Sequence, residues 1–230
     1  MTSVRRQRQD DGDEINDKKK EDSIDIGMHF SKDDFDKTIF SENNHVYFYT
    51  AVTNDSILSL QKVITKVVKT LNQQIEETRS MGLTATLSPI YLHINSQGGS
   101  IFACFAFLDF LTQIKLQNKN LKVYSVVEGR AASAGSLMSV VCDKRFIGQN
   151  SYILIHQLSA GTFGKYYEMK DSMKNYDSFM KKIKEIYLKF TKIPAKELDK
   201  ILEHDLYFDA KLCLKYNLVD HLIDKQNFLT

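Results

Sequence analysis

Short apolar segments alternate with longer amphipathic segments along most of this chain of 230 residues. Residues 46–52, 89–95 and 121–127 have the length and the β-branched and aromatic content of buried strands. After the first of them comes a helix-cap signal at residues 54–56, followed by apolar residues at helical spacing: Ile57, Leu60, Ile64, Val67, Val68 and Leu71. Because parallel strands need a crossover connection between them, this alternation predicts an α/β fold with a mostly parallel sheet.

The rest of the chain continues the alternation. A second helix follows the turn at residues 96–100, with one predicted apolar face: Ile101, Phe105, Leu108, Leu111 and Ile114. A helix of small residues is predicted over about 131–141, and two strands, 145–148 and 151–156, lie on either side of a turn. A long helix is predicted over about 166–190, with an apolar stripe: Met169, Met173, Tyr176, Met180, Ile183 and Tyr187. Two short helices that begin near Pro194 and Asp209 close the chain.

The first 28 residues contain few apolar side chains and mix basic blocks with acidic blocks. Such a segment cannot bury enough apolar surface to offset the entropy that is lost on ordering. We therefore predict a disordered charged tail over residues 1–28 and a single domain over residues 29–230.

The composition argues against several classes of function. The net charge is only +2, with basic and acidic residues interspersed, so nothing favours a nucleic-acid partner. Cys104, Cys142 and Cys213 lie in apolar runs without metal-ligand spacing, and no phosphate-binding loop occurs, so we expect no metal and no other cofactor. No segment has the apolar length of a membrane helix or the pattern of a secretory signal. These features predict a soluble cytoplasmic protein without a membrane partner.

Ser133 lies where a predicted strand passes through small residues into a predicted helix, in the sequence GRAASAGS at residues 129–136. A serine at such a turn projects its hydroxyl outward, as the nucleophile does in hydrolases with a strand–turn–helix elbow. Serine also caps helices in many proteins, and this segment alone does not separate the two interpretations.

Three further features have the residue types that acyl transfer through serine needs. Gly98 and Gly99 follow a buried strand, where glycines let backbone N–H groups approach a developing oxyanion. His156 ends an apolar strand, and histidine is the side chain most often used as a general base. Asp205 is an acid of the kind that orients an imidazole. Taken singly, each has an ordinary structural interpretation: a turn, a hydrogen-bonded strand end, or one carboxylate among many.

Taken together and in this order, these segments resemble the Clp protease proteolytic subunit family. INSQGGS (94–100) is similar to the family's I-N-S-P-G-G-S, and GRAASAG (129–135) is similar to its G-x-A-A-S-M-G. IHQ (155–157) resembles I-H-Q-P, and EHDLYF (203–208) with YNLVD (216–220) resembles R-D-x-x-[FM]-[ST]-A followed by Y-G-L-[IV]-D. The resemblance covers about residues 46–223.

This resemblance implies a serine endopeptidase with the ClpP/crotonase-like α/β fold, which has repeated β-β-α units and a protruding strand–helix handle, here at about 159–190. It implies Ser133 as nucleophile, His156 as general base and Asp205 as orienting acid, with the N–H groups of Gly99 and Ala134 as the oxyanion hole. It also implies a homo-oligomer of stacked heptameric rings, whose chamber receives unfolded polypeptide substrate from an AAA+ ATPase.

The chain departs from the family pattern at four positions near these motifs. Gln97 and Leu158 replace prolines, Ala134 replaces methionine, and His204 replaces arginine. The three residues of the implied triad are all kept. Two kinds of alternative remain open: a catalytically silent Clp-like subunit with a structural role in a ring, and another enzyme on the same scaffold, such as a viral-type maturation protease.

Overall fold

The computed structural model describes residues 38–224, so the predicted tail over residues 1–28 lies outside the described residues. The helices are α1 Asn54–Ser80, α2 Ile101–Gln117, α3 Ala134–Val140, α4 Tyr166–Phe190, α5 Ala195–Leu202 and α6 Ala210–Lys215. The strands are β1 Ile39–Glu42, β2 His45–Phe48, β3 Ile90–Ser96, β4 Val123–Ala132, β5 Lys144–Ile147, β6 Tyr152–Leu154, β7 Tyr207–Phe208 and β8 His221–Leu222. No helix within residues 38–224 is both long enough and apolar enough to cross a membrane.

The strands form one mixed sheet in the order β1-β2-β3-β4-β5-β8, with β6 beside β4 and β7 beside β6. All pairs are parallel except β1–β2 and β6–β7. Along β4, residues 124–127 pair with β5 and residues 130–132 pair with β6, so both predicted strands of this region lie alongside β4. The predicted α/β fold with a mostly parallel sheet is confirmed. Strand β1 was not predicted.

Helix α1 begins one residue after Thr53, whose side chain caps it. Thr53 Oγ1 accepts a hydrogen bond from the Ser56 N–H, and Ser56 Oγ accepts one from the Thr53 N–H, which completes a capping box. The apolar residues that were predicted to face the core are buried, with Leu71 partly buried at the margin. The sequence pattern therefore identified the buried face of this helix, whereas the capping residue is Thr53, one residue before the predicted cap signal at 54–56.

Helix α2 buries a face that overlaps the predicted one only in part. Its buried residues are Ala103, Cys104, Phe107, Leu111 and Ile114. Of the predicted face, Leu111 and Ile114 are buried as expected, whereas Ile101, Phe105 and Leu108 are only partly buried. Because α2 has apolar residues on nearly every side, their spacing does not distinguish the side that packs on the core.

Helix α4 has the predicted extent, but only its C-terminal end packs into the core. Ile183, Ile186 and Tyr187 are buried, whereas Met173 is 55% exposed and Tyr167 is 75% exposed. The predicted apolar stripe therefore divides into a buried end and an exposed end. The helix of the predicted handle is present.

The strand of the predicted handle is not formed in the single chain: residues 159–165 have no strand structure. A strand needs a neighbouring backbone to pair its N–H and C=O groups. No strand among residues 38–224 pairs with this segment.

The three cysteines, Cys104, Cys142 and Cys213, are free and buried, in agreement with their apolar sequence context. Burial raises the pKa of each thiol to about 12. The Cys104 Sγ donates to the carbonyl oxygen of Ala134 at 3.4 Å, so this thiol packs directly against the start of α3.

An ion pair between Arg145 and Asp220 fastens the C-terminal segment to the sheet. Arg145 Nη2 lies 2.7 Å from Asp220 Oδ1, Nε lies 3.0 Å from Oδ2, and Nη1 donates to the carbonyl oxygen of Phe190 at 2.6 Å. Burial by itself raises the pKa of the Asp220 carboxyl, but the hydrogen bonds and charge of Arg145 outweigh it and hold that pKa below its usual value. One side chain thus connects β5, the end of α4 and the segment before β8.

Replacing Asp220 by Asn removes the counter-charge of the buried Arg145 guanidinium, so we expect the free energy of unfolding to fall by about 3 kcal/mol at pH 7. Because the folded-state pKa of Asp220 is depressed, its contribution is present above the unfolded-state pKa of about 3.9 and is lost as the pH falls through the folded-state value. Urea unfolding of wild type and Asp220→Asn at pH 7 and pH 3 measures both effects.

The control for this prediction is Asp171→Asn, which breaks an exposed pair with Lys174 (3.2 Å) on α4. Exposed pairs contribute little, so we expect a change below about 0.5 kcal/mol. Equal stability of Asp220→Asn and wild type at pH 7 would contradict the anchoring role of Arg145.

Candidate active site

Three parallel strands, β3, β4 and β6, end at one edge of the sheet. Ser96 of β3 pairs with Ala131 of β4, and Ala132 of β4 pairs with Leu154 of β6. This register brings the residues after each strand together at the carboxyl edge, where α/β sheets form their binding sites. The residues that follow the three strands are Gly98 and Gly99, Ser133, and His156.

Ser133 joins β4 to α3 with a backbone conformation that L-residues rarely adopt, φ 54° and ψ −123°. Its N–H donates to the carbonyl oxygen of Leu154 at 2.9 Å, which ties the turn to the end of β6. Although Ser133 stands at the N-cap position of α3, its side chain makes no capping hydrogen bond. The hydroxyl is therefore not used to cap the helix, which favours the nucleophile interpretation.

Gly98 permits a close approach between the loops that follow β3 and β4. A Cβ atom at this position would lie 2.6 Å from the carbonyl oxygen of Ala132 and 2.6 Å from Ser133 Cβ. The φ of Gly98 is also +91°, a value that disfavours any side chain. Only glycine lets the two loops lie this close together.

Gly99 is held in place by Val52, a residue that sequence reasoning did not single out. The Val52 N–H donates to Gly98 O at 2.8 Å, and the Ser100 N–H donates to Val52 O at 2.7 Å. In such a parallel bridge the central residue, Gly99, directs its own N–H away from the partner. Ala134 is the first residue of α3, so its N–H has no carbonyl partner within the helix.

His156 and Asp205 lie in direct contact, with 2.9 Å between His156 Nδ1 and Asp205 Oδ1. The antiparallel register of β6 and β7 accounts for this contact. It pairs Leu154 with Tyr207, and continuing it by two residues places His156 opposite Asp205. Nδ1 is therefore the ring nitrogen that faces the carboxylate, which leaves Nε2 as the nitrogen that could act as a base.

A pocket of about 80 Å³ joins these groups. Gly99, Ser133, Ala134 and His156 all line it, and Asp205 contacts the imidazole of His156. Its other walls are mostly apolar: Ile101, Leu137, Leu158, Ile183 and Tyr187. The structure thus brings together all five residues that the sequence predicted for the site. A hydroxyl, an imidazole paired with a carboxylate and two backbone N–H donors are the groups that acyl transfer requires.

A larger concavity of about 570 Å³ lies between α2 and α4, and none of the five predicted residues lines it. Charged residues, among them Asp109, Lys182 and Glu185, form part of its wall. Within residues 38–224, no group of three or more His, Cys, Asp and Glu side chains is arranged to hold a metal ion. The chemistry of the lining residues, rather than cavity size, therefore identifies the candidate active site.

Tyr187 has a second role that the sequence analysis missed when it placed this residue in an apolar stripe. The side chain lines the pocket, and its hydroxyl lies 2.6 Å from Ser136 Oγ. The sequence signal that could have indicated this role is the hydroxyl itself, since a buried tyrosine hydroxyl usually needs a hydrogen-bond partner.

Comparison with known proteins gives a family match, and two of the many similar proteins illustrate the degree of similarity. A family model described as Clp protease matches residues 41–226. The ATP-dependent Clp protease proteolytic subunit of Deinococcus radiodurans is 33% identical over 138 residues, which cover 59% of this chain and 65% of that protein, just under two thirds of its length. The ATP-dependent Clp protease proteolytic subunit 2 of Treponema denticola is 30% identical over 181 residues, which cover 74% of this chain and 88% of that protein.

The positive φ of Ser133 predicts an unusual order of stability among variants at this position. Backbone strain of this kind costs about 1 to 3 kcal/mol for a residue with a Cβ atom, and glycine avoids it. We therefore expect Ser133→Gly to be more stable than Ser133→Ala, with a free energy of unfolding about 1 kcal/mol higher. Chemical denaturation of the two variants measures this difference. If Ser133→Ala proves equally stable, the turn is not strained.

Proposed function

Because this chain belongs to the Clp protease family, whose members are serine peptidases, we propose that it is a serine endopeptidase that cleaves unfolded polypeptides with Ser133, His156 and Asp205. One observation carries this proposal. Ser133 and His156 line the same small pocket, and Asp205 Oδ1 lies 2.9 Å from His156 Nδ1. A catalytically silent subunit is expected to have lost at least one of these three residues, and this chain keeps all of them.

In the proposed reaction, Ser133 Oγ attacks the carbonyl carbon of a peptide bond while His156 Nε2 takes the hydroxyl proton. The resulting imidazolium is stabilised by Asp205, which also fixes the ring orientation. The tetrahedral intermediate collapses as His156 returns the proton to the leaving amine, and an acyl ester remains on Ser133. Water, deprotonated by the same imidazole, then hydrolyses the ester and regenerates the serine.

The N–H groups of Gly99 and Ala134 are the proposed oxyanion donors. Both residues line the pocket beside Ser133, and backbone N–H groups that are fixed before the reaction stabilise the negative charge at little reorganisation cost. Val52 holds Gly99 through its two backbone hydrogen bonds, and the start of α3 holds Ala134. This arrangement explains why methionine is not required at position 134: the functional atom belongs to the backbone.

The shape of the pocket supports an extended substrate. At about 80 Å³ it accommodates one side chain, and its apolar walls favour an apolar residue beside the cleaved bond. A folded protein presents few such segments. We therefore propose unfolded polypeptide as the substrate, and the names of both similar proteins, which include "ATP-dependent", support an AAA+ ATPase as the partner that supplies it.

The exposed start of α4 and the segment just before it support assembly into a homo-oligomer, for which the family resemblance implies stacked rings. Phe163 is fully exposed, and Tyr166 and Tyr167 are 59% and 75% exposed. An apolar patch of this kind on a single chain is typical of an interface with another copy. Residues 159–165, which lack a strand partner within residues 38–224, would gain one from that copy.

The triad makes a kinetic prediction. We expect Ser133→Ala and His156→Ala each to lower the peptidase rate by about 10⁴- to 10⁶-fold, and the double variant to be little worse, because nucleophile and base act as a unit. The rate is measured with a fluorogenic peptide, and labelling by an alkyl fluorophosphonate followed by mass spectrometry identifies the modified residue. Ser80→Ala, an exposed serine at the end of α1, is the control and should keep the wild-type rate. A wild-type protein that is neither active nor labelled would instead be a catalytically silent subunit.

The exposed end of α4 makes an assembly prediction. Tyr167→Glu places a charge in the proposed contact, so we expect it to shift the sedimentation coefficient at micromolar concentration from a ring oligomer towards the monomer. Met81→Glu makes the same kind of change at a residue that is 74% exposed at the end of α1, and it should leave the oligomer intact. Wild-type protein that sediments as a monomer at every concentration would reject the interface.

A further inference from the structure

A chain of two buried hydroxyl groups connects α4 to the backbone of Ser133. Tyr187 OH lies 2.6 Å from Ser136 Oγ, and Ser136 Oγ lies 2.7 Å from the carbonyl oxygen of Ser133. Tyr187 is 1% exposed and Ser136 is fully buried. Neither hydroxyl is therefore available to water, and each depends on its protein partner.

The direction of these hydrogen bonds follows from the number of protons. Each hydroxyl has one hydrogen to donate, and the carbonyl oxygen of Ser133 can only accept. Ser136 therefore donates its hydrogen to Ser133 O, which leaves its oxygen to accept from Tyr187. Burial also raises the pKa of Tyr187 above its usual value, so the phenol keeps its proton. The chain runs in one direction, from Tyr187 through Ser136 to Ser133.

The carbonyl group that receives this chain belongs to the same peptide unit as the N–H of Ala134. That N–H is one of the two proposed oxyanion donors. The peptide unit is planar, so a group that fixes its C=O also fixes the direction of its N–H. Hydrogen bonds that draw charge towards the carbonyl oxygen make the N–H a stronger donor at the same time, as in other cooperative chains. The N–H groups of Ser136 and Leu137 also donate to this oxygen, at 3.0 Å and 3.3 Å.

We propose that Tyr187 and Ser136 are positioning residues for the reaction: from behind the site, they orient and polarise the Ser133–Ala134 peptide that stabilises the oxyanion. The inference rests on the proposed peptidase function. Under this proposal the Tyr187 hydroxyl affects the reaction rate, although neither hydroxyl touches the substrate. A phenylalanine at position 187 would fill the same space in the core but could not donate this hydrogen bond.

Tyr187→Phe is the main test, and the measurement is the rate constant of phosphonylation by an alkyl fluorophosphonate. In this reaction Ser133 Oγ bonds to phosphorus, fluoride leaves, His156 takes the serine proton, and the phosphonyl oxygen occupies the oxyanion hole. We expect the rate constant per titrated site to fall by about three- to tenfold, the effect of weakening one neutral hydrogen bond. The fraction of sites that finally react should stay at the wild-type level.

Two further variants separate positioning from general stability. Ser136→Ala leaves the Tyr187 hydroxyl buried without its partner, so it should lower both the melting temperature and the rate constant. Adding Tyr187→Phe to it removes the unpaired hydroxyl. We expect the double variant to recover melting temperature but not rate, a result that a purely structural role does not give.

Tyr176→Phe is the matched control, because it also removes one tyrosine hydroxyl from α4. Its hydroxyl donates to the carbonyl oxygen of Gly161 at 2.9 Å and does not contact the Ser133–Ala134 peptide. The rate constant of this variant should stay within about 1.5-fold of wild type, below the effect of even one weakened hydrogen bond.

Three outcomes are distinguishable. A slower reaction at full site titration in Tyr187→Phe, with Tyr176→Phe unchanged, supports the inference. A wild-type rate constant in Tyr187→Phe, or a loss only in the fraction of reactive sites, overturns the inference and leaves the peptidase function standing. If the wild-type protein is not labelled at Ser133, the proposed function fails and this inference fails with it.

Discussion

Backbone pairing along β4 positions Ser133, His156 and the loop after β3 in the candidate active site. β3 lies along one side of this strand, while β5 and then β6 share the other side. A shift of one residue in these registers would move every side chain of a strand to the opposite face of the sheet, and the packing around the largely buried strands β3 and β4 opposes that change. The nucleophile, the base and the oxyanion loop are therefore positioned by the sheet, and their side chains need few contacts of their own.

The pairing of β4 with its neighbouring strands also allows the strained turn at Ser133 to persist in the folded protein. The turn is fixed on one side by the hydrogen bond to Leu154 and on another by the close packing of Gly98. Strain of about 1 to 3 kcal/mol is a large part of the 5 to 15 kcal/mol by which a domain is usually stable. A conformation with this cost persists only where the surroundings leave no alternative, and buried strands on both sides of β4 provide those surroundings.

Much of this arrangement was predictable from the sequence, because it depends on local signals. Three of these signals can be recognised from a few neighbouring residues. They are the turn glycines at positions 98 and 99, the serine at a strand–helix junction and the histidine at a strand end. The contact between His156 and Asp205 has no such signal: it follows from the antiparallel pairing of β7, a strand of only two residues, with β6. Likewise, the buried face of α2 could not be chosen from a helix that is apolar on most sides. Residues 159–165, which were predicted to include a strand, form none. A strand needs a neighbouring backbone segment to pair with as well as a suitable sequence pattern.

The buried cysteines determine how this protein would respond to electrophiles. A thiol reacts as its thiolate, and a pKa of about 12 leaves almost none of that form at neutral pH. All three cysteines of the chain are also shielded from solvent, so thiol-selective reagents such as maleimides find no accessible target in the folded protein. The reaction of an alkyl fluorophosphonate, which is selective for an activated serine, would then depend on access to the pocket of Ser133. The mass increase of the intact folded protein would then count occupied serine sites directly, without a background from modified cysteine.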